Sequence, residues 1–482
     1  MTNESPQLRF PTQMLIDGSW VGGSEGTFTV LDPSYGTPIV EAPRAGADDV
    51  RAAVNAAAKA QPLWAAQPPR ERGEVLRRTF ELMLQRREEL AQLMTLEMGK
   101  SLNDSRAEVS YAAEFFRWFS EEAVRVGGEL RTAPSGANRI LTIRKPVGVA
   151  LLLTPWNFPA AMAARKIAPA LAAGCAVVLK PAEDTPLTAL ALGQLLTEAG
   201  APAGVVNVVT TDRPAELVDA ALADGRVRAL SFTGSTRVGR HLLTQTAAQV
   251  INSSMELGGN GPFIVLDDAD LDEAVVGAMV AKMRNGGQAC TAANRFLVAQ
   301  SVAEPFTRKL TEAMSALRMG VGADESTQLG PMINARAVTT IADKVDRSVA
   351  AGARIALGGR VPDGVGFFYP ATVLTDVPRD SAVATEEIFG PVAPIITVSD
   401  DDDAIGVAND TDFGLTSYIY GSLARALRVA ERLEVGMVGI NRGLVSDPAA
   451  PFGGVKQSGL GREGGFEGIE EYLETTYIAT SW

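Results

Sequence analysis

From residue 147 onward, short apolar runs alternate with longer stretches of helical periodicity. The runs 147–154, 176–180, 205–209 and 229–232 have strand length and are apolar throughout, as strands buried on both faces are. Between them, 161–173, 186–199 and 214–222 repeat apolar residues at helical spacing. The alternation predicts a parallel sheet covered by helices, hence an α/β nucleotide-binding architecture. A further apolar strand at 262–266 opens a second α/β section that continues to about residue 438.

Before residue 147 the pattern differs. Stretches 48–64 and 71–98 predict amphipathic helices, the second beginning after Pro68-Pro69, and 107–124 continues the helical layer. Segment 127–148 interrupts it. The alternation in RILTIRK predicts an exposed strand pair with a Gly-Ala-Asn turn, a protruding edge able to pair with another subunit. Neither an internal repeat nor a low-complexity linker is evident.

A chain of 482 residues is long enough for two or three domains. Its net charge of -13 disfavours nucleic acid or an anionic membrane as partner, since phosphate binding wants a basic face. The amino terminus MTNESPQLRF lacks the apolar core of a signal peptide, and the run 147–153 is too short to span a bilayer. Cys175 and Cys290 make no disulfide framework, so a reducing cytoplasm is expected; with a single histidine, a zinc site is not. A serine–histidine–aspartate triad would need His241, which reads as a surface histidine on a helix.

Three motifs mislead. Gly459-Leu460-Gly461-Arg462-Glu463-Gly464 matches GxGxxG but lacks a strand before it and an acid after it. Gly234 to Gly239 has P-loop spacing, yet Arg240-His241 replaces the required Lys-Ser/Thr. The acids from Asp268 to Asp272 resemble a calcium loop, but Glu273 takes the glycine position and Met279 the last ligand position. These acids, like those at 400–403, are expected at helix amino termini.

A nucleotide has two better landing points. Strand 229–232 runs into Thr233-Gly234-Ser235 and then a helix, whose first N–H groups and the Ser235 hydroxyl can meet a phosphate. Strand 176–180 ends in Lys180-Pro181-Ala182-Glu183. A carboxylate at Glu183 can accept from both ribose hydroxyls and would repel a 2′-phosphate, favouring NAD while leaving NADP possible. Alone, either feature is also satisfied by an ordinary strand end.

The residues then become recognisable as a set. Thr154-Pro155-Trp156-Asn157-Phe158-Pro159, Lys180-Pro181-Ala182-Glu183, Phe232-Thr233-Gly234-Ser235, Glu256-Leu257-Gly258-Gly259, Gly287-Gln288-Ala289-Cys290 and Glu386-Glu387-Ile388-Phe389-Gly390-Pro391 occur in this order. Together they resemble the aldehyde dehydrogenase superfamily over nearly the whole chain. The resemblance implies a Rossmann-type coenzyme domain (1–126 and 147–257), an α/β catalytic domain (258–440), and oligomerisation strands with a carboxy-terminal segment (127–146 and 441–482). The protruding strands and the terminal TTYIAT are expected to pair across subunits of a homodimer or homotetramer.

By the same resemblance Cys290 is the nucleophile and Glu256 the general base. Asn157 and the N–H of Cys290 hold the oxyanion, with Lys166 nearby. The coenzyme site comprises Thr154, Pro155, Trp156, Asn157, Lys180, Pro181, Ala182, Glu183, Gly234, Ser235, Leu257, Glu387 and Phe389. The chemistry fits these residue types. A thiolate adds to an aldehyde, hydride leaves for a nicotinamide, and a carboxylate-activated water hydrolyses the thioester. No histidine is needed. Glu256 is expected to take the thiol proton, and nearby positive charge to favour the thiolate.

Residues 451–474 and the run AMAARK at 161–166 narrow the resemblance to succinate-semialdehyde dehydrogenases, in which Arg165, Arg284 and Ser446 match the pocket for the substrate carboxylate. Buried arginines need an anion, and a carboxylated aldehyde supplies one. Glutarate semialdehyde and 2-oxoglutarate semialdehyde present the same group, and a broad-specificity enzyme is the remaining alternative. The retained Glu256 argues against a coenzyme-A acylating enzyme. Ala292 stands where many relatives carry a second cysteine, so no disulfide between neighbours can form; position 413 is Phe where Tyr is frequent.

Overall fold

The computed structural model describes residues 9–481; the reading of the first eight residues as lacking a signal-peptide core lies outside them. Its larger sheet has eight strands in the spatial order Ser19–Val21, Met14–Ile16, Val206–Val208, Ala176–Lys180, Val149–Leu153, Val227–Thr233, Asn252–Glu256, Gly459–Leu460. The five from Val206–Val208 to Asn252–Glu256 are parallel. The first of these in the chain, Val149–Leu153, is central, so the winding reverses between it and Val227–Thr233. Open α/β sheets bind ligands at the carboxyl ends of their strands at such a reversal.

Register brings those ends level: Leu153 lies opposite both Lys180 and Phe232, and Thr233 opposite Glu256. The strands are apolar throughout because both faces are covered. Leu152, Val177 and Leu179 enter one core, whereas Leu151, Val178 and Leu153 enter another on the opposite side. Each crossover helix, Pro159–Ala173, Pro186–Glu198 and Pro214–Leu222, opens with proline, whose missing N–H and fixed φ suit a first turn.

The second sheet has seven strands in the order Arg354–Leu357, Thr372–Thr375, Val392–Val398, Arg295–Ala299, Pro262–Val265, Thr416–Tyr420, Met437–Ile440. All of its pairings are parallel except that of Arg354–Leu357. No helix among the described residues is long and apolar enough to cross a membrane.

Several expectations need correction. The helix expected at 71–98 is two, Pro69–Gln85 and Arg87–Met98, joined at Arg86, whose φ of -103° and ψ of 23° leave the helix. A one-residue break hardly disturbs side-chain periodicity, so the pattern did not register it. The terminal strand Leu473–Thr480 carries TTYIAT and pairs along its full length with Arg139–Pro146 of its own chain, as the outer strand of a three-stranded sheet. The short strands Met14–Ile16 and Ser19–Val21 and the hairpin Thr27–Asp32 with Thr37–Pro43 were not anticipated. Neither was Asn252–Glu256, whose polar Asn-Ser-Ser start hides a sheet strand. Of residues 441–482, the portion Gly459–Leu460 joins the larger sheet and Val455–Lys456 pairs with Phe413–Gly414.

Candidate active site

Cys290 sits past a tight turn between helix Leu271–Met283 and strand Arg295–Ala299. Asn285, Gly286 and Gly287 are all left-handed, with φ of 55°, 61° and 76°. At Gly287 a Cβ would stand 2.2 Å from the Gly390 oxygen, so only glycine fits there. The turn is tied to Asn157, which follows strand Val149–Leu153: Asn157 Nδ2 donates to the Gln288 oxygen at 3.0 Å. Asn285 Nδ2 donates to the Asn157 oxygen at 2.8 Å. The Asn157 amide is buried, and its second Nδ2 hydrogen has no acceptor among the described residues.

Glu256 ends strand Asn252–Glu256, which Gly459–Leu460 flanks, with Glu256 opposite Gly459. The segment that mimics GxGxxG therefore begins as an edge strand paired with the strand that carries this carboxylate. Glu256 is buried, and neither carboxylate oxygen has a hydrogen-bond partner among the described residues. A Cβ on Gly453 would come within 2.8 Å of Oε1. Burial, reinforced by Glu463, raises its pKa well above the usual carboxylate range; Arg165, Lys166 and Arg462 oppose the rise. Burial also pushes the Cys290 thiol up to about 12. Arg165 and Arg284 lower that value, and Glu256 and Glu387 raise it further. The expected help from nearby cations is thus present, but an ionised Glu256 works against the thiolate, so Glu256 aids only by accepting the proton.

Lys166 is not beside the thiol as a free cation. Its Nζ is fully buried, 2.5 Å from Glu463 Oε1 and 2.8 Å from Ser231 Oγ. Arg165 Nε lies 3.1 Å from the other Glu463 oxygen. The guanidinium also stacks 3.9 Å over the Phe452 ring and donates to the Tyr111 hydroxyl at 3.2 Å. Arg165 therefore already has an anion, contrary to the expectation that its burial requires one from the substrate. Glu463 is the third variable position of the misleading glycine motif, and its importance has no signal in spacing.

Arg284 differs. It lies 5.0 Å over the Phe158 ring and forms no ion pair among the described residues. Tyr111 links the carboxylate candidates: its hydroxyl accepts from Arg165, and its pKa, raised by burial, is lowered by Arg165, Arg284 and Ser446. Sequence reading missed Tyr111, which sits inside a helix with only packing periodicity around it.

On the nucleotide side, Lys180 is buried at its strand end, 3.7 Å from Glu183, whose side chain is 46% exposed. Thr154, Pro155 and Trp156 follow the central strand, and the Trp156 ring meets Phe389 edge-on at 5.4 Å. Pro181 and Ala182 continue from Lys180, with Ala182 buried. Ser235 caps helix Thr236–Ala247, and Thr233 Oγ1 is buried without a partner. The N–H of Gly234 itself is not free for a phosphate. That group donates to the Glu256 oxygen at 3.0 Å, and the glycine is required because a Cβ would strike the Phe232 ring at 2.5 Å. Leu257 likewise spends its N–H on Ser458 and packs on Gly239. Glu387 accepts from Gly259 N at 3.1 Å; burial lifts it to about 7. The half-exposed Glu183 carboxylate, the unpartnered Thr233 hydroxyl and the Trp156–Phe389 wall at the winding reversal fit a dinucleotide coenzyme.

A doubly wound sheet that carries a buried unpartnered carboxylate and an amide, with a cysteine turn of the second sheet tied to that amide, suits a dehydrogenase acting through a covalent thiol adduct. The chain belongs to the aldehyde dehydrogenase family, whose pattern it matches over residues 20–478. It is 56% identical to a succinate-semialdehyde dehydrogenase of Paenarthrobacter nicotinovorans, over 90% of this chain and 97% of that one. It is 48% identical to a glutarate-semialdehyde dehydrogenase of Pseudomonas putida, over 98% of each. An Escherichia coli NADP-dependent enzyme has the same fold, with a TM-score of 0.97 and 47% identity over 98% of each chain.

Proposed function

We propose that the protein oxidises succinate semialdehyde to succinate with NAD(P)+, with glutarate semialdehyde as the alternative substrate. The observation that carries this reading is Arg284, a cation without an ion pair among the described residues, on the turn that leads to Cys290 and beside the Tyr111–Arg165–Ser446 group. A substrate carboxylate supplies the missing anion and holds the aldehyde carbon toward the thiol. The names of the relatives at 56% and 48% identity support the same substrate class.

Cys290 Sγ gives up its proton to Glu256, directly or through water, from which it passes to solvent, and the sulfur bonds the aldehyde carbon. The carbonyl oxygen becomes an oxyanion held by the unused Asn157 Nδ2 hydrogen and the Cys290 N–H. A nicotinamide coenzyme, when bound, would supply the hydride acceptor for that carbon, leaving the acyl group on Cys290 as a thioester. Glu256, its carboxylate destabilised by burial, then removes a proton from water as the water oxygen attacks the acyl carbon and the C–S bond breaks. Aldehyde, oxidised coenzyme and water become carboxylate, reduced coenzyme and two protons. Lys166 holds Glu463 and acts on Glu256 through charge alone.

Lys180 and Glu183 would bind the adenosine ribose and Glu387 the nicotinamide ribose, with Trp156 and Phe389 as apolar walls. Residues 1–126 and 147–257 would form the coenzyme domain, 258–440 the catalytic domain, and 127–146 with 441–482 the oligomerisation unit of a cytoplasmic homodimer or homotetramer. The test compares kcat/KM for C4 and C5 semialdehydes with that for butanal. A preference of at least about 10²-fold for the carboxylated substrates is expected; equal rates would remove the carboxylate reading.

A further inference from the structure

A second set of buried groups grips Asn157 from the side away from Glu256. The main-chain oxygen of Asn157 accepts two hydrogen bonds, from Lys100 Nζ at 2.7 Å and from Asn285 Nδ2 at 2.8 Å. Lys100 follows helix Arg87–Met98 and has no side-chain exposure. Its ammonium is bound to Glu108 at 2.5 Å and lies 4.1 Å over the Phe158 ring. The other Glu108 oxygen accepts from the N–H groups of Ala160 and Ala161 at 2.9 and 3.1 Å, capping helix Pro159–Ala173. Lys100 and Glu108 thus hold the chain on both sides of Phe158.

A fully buried ion pair is a poor source of stability, because losing two hydration shells offsets most of the attraction. The geometry gives this one a different use. A carbonyl fixed by an ammonium and an amide holds the peptide after Asn157 in one orientation. Through Asn285, which also reaches the Gln288 oxygen at 3.2 Å, the same knot includes the acceptor that orients the Asn157 side chain. An oxyanion donor is effective only when placed to within a fraction of an ångström before the charge develops.

We propose that Lys100, anchored by Glu108, is a positioning residue for the oxyanion donor Asn157, and that the Lys100–Asn285 clamp presets that donor before aldehyde binds. This rests on the role proposed above for Asn157. Lys100 touches neither substrate nor coenzyme; it acts through the Asn157 carbonyl.

The test is a double-mutant cycle in the full-length enzyme at saturating coenzyme. Lys100→Met alone would strand the Glu108 charge, so it is made together with Glu108→Gln, which keeps an acceptor for the helix N–H groups. The pair variant is expected to bind coenzyme by fluorescence titration and to lose about 10- to 100-fold in kcat/KM for the aldehyde. In an Asn157→Ala background the same pair change is expected to cost less than about threefold, because the group being positioned is gone. An equal loss in both backgrounds, parental activity in the pair variant, or failure of that variant to fold overturns the proposal. Full activity of Asn157→Ala alone would instead overturn the reading of Asn157.

Discussion

The nucleotide end and the aldehyde end of the crevice are built in different ways. At the nucleotide end, Lys180, Glu183 and Ser235 stand at the carboxyl ends of neighbouring parallel strands, and Glu183 is close to half exposed. At the aldehyde end, Arg165, Tyr111, Arg284, Ser446 and Glu463 come from separate segments, and Arg165 and Glu463 are almost wholly buried. Glu183, close to half exposed, feels its partner Lys180 largely through water even though Lys180 is buried. Buried charges share partners, so removing one leaves another uncompensated. Changes at the first end should tune coenzyme choice, and changes at the second should affect catalysis, specificity and folding together.

Cys290→Ala gives the sharpest separation. It should lose at least about 10⁴-fold in kcat while coenzyme affinity by titration stays within about twofold. Oxidation retained in that variant would end the covalent mechanism for both regions. Glu256→Gln should lower steady-state turnover by about 10²–10⁴-fold and also slow the first-turnover burst of reduced coenzyme, seen by stopped flow. A burst at the parental rate would confine Glu256 to hydrolysis.

Within the aldehyde end the two arginines should behave differently. Arg284→Leu should cost about 10²-fold in kcat/KM for succinate semialdehyde and little for butanal, since no ion pair of the resting fold is broken. Arg165→Leu removes a cation from Glu463 and should also destabilise the fold by about 3–5 kcal/mol, measured by denaturant unfolding. Identical profiles for the two would erase the distinction between a paired and an available arginine.

The pH dependence follows from burial. With the Cys290 thiol pushed up to about 12, iodoacetamide alkylation of coenzyme-free enzyme should be slow at pH 7 and rise about tenfold per pH unit up to pH 10. A plateau near neutrality would mean a preformed thiolate. For Glu256 the raised value means that the protonated form persists to higher pH than usual. Hydrolysis should therefore fall as pH drops through that value, with the acid limb well above the ordinary carboxylate range. The smallest effect belongs to the nucleotide end: Glu183→Gln should shift the NADP/NAD ratio of kcat/KM about tenfold toward NADP by removing the repulsion of a 2′-phosphate. An unchanged ratio would detach Glu183 from the ribose.

The strand ends were legible because a motif there is also a place. Leu153, Lys180 and Thr233 end buried strands of nearly equal reach, so reading where the apolar run stops gives the lip of the crevice. The polar strand Asn252–Glu256 was not legible, since its sheet position depends on neighbours on both sides. Arg165 shows the same limit at the site. Its identity invites an anion, but the spacing cannot say that Glu463, far along the chain, already provides one.

The pattern along the chain specified the alternation of strands and helices and the strand ends at the crevice, because hydrophobic period and turn chemistry are local properties; Cys290, Glu256 and Asn157 were assigned from the ordered motifs of the family resemblance. Tertiary structure alone decided which charges are paired and which are available. It set Lys166 and Arg165 on Glu463, left Arg284 without an ion pair, and put Lys100 behind Asn157. Coulomb energy and desolvation depend on distance and burial in space, and neither is written in the separation of residues along a chain.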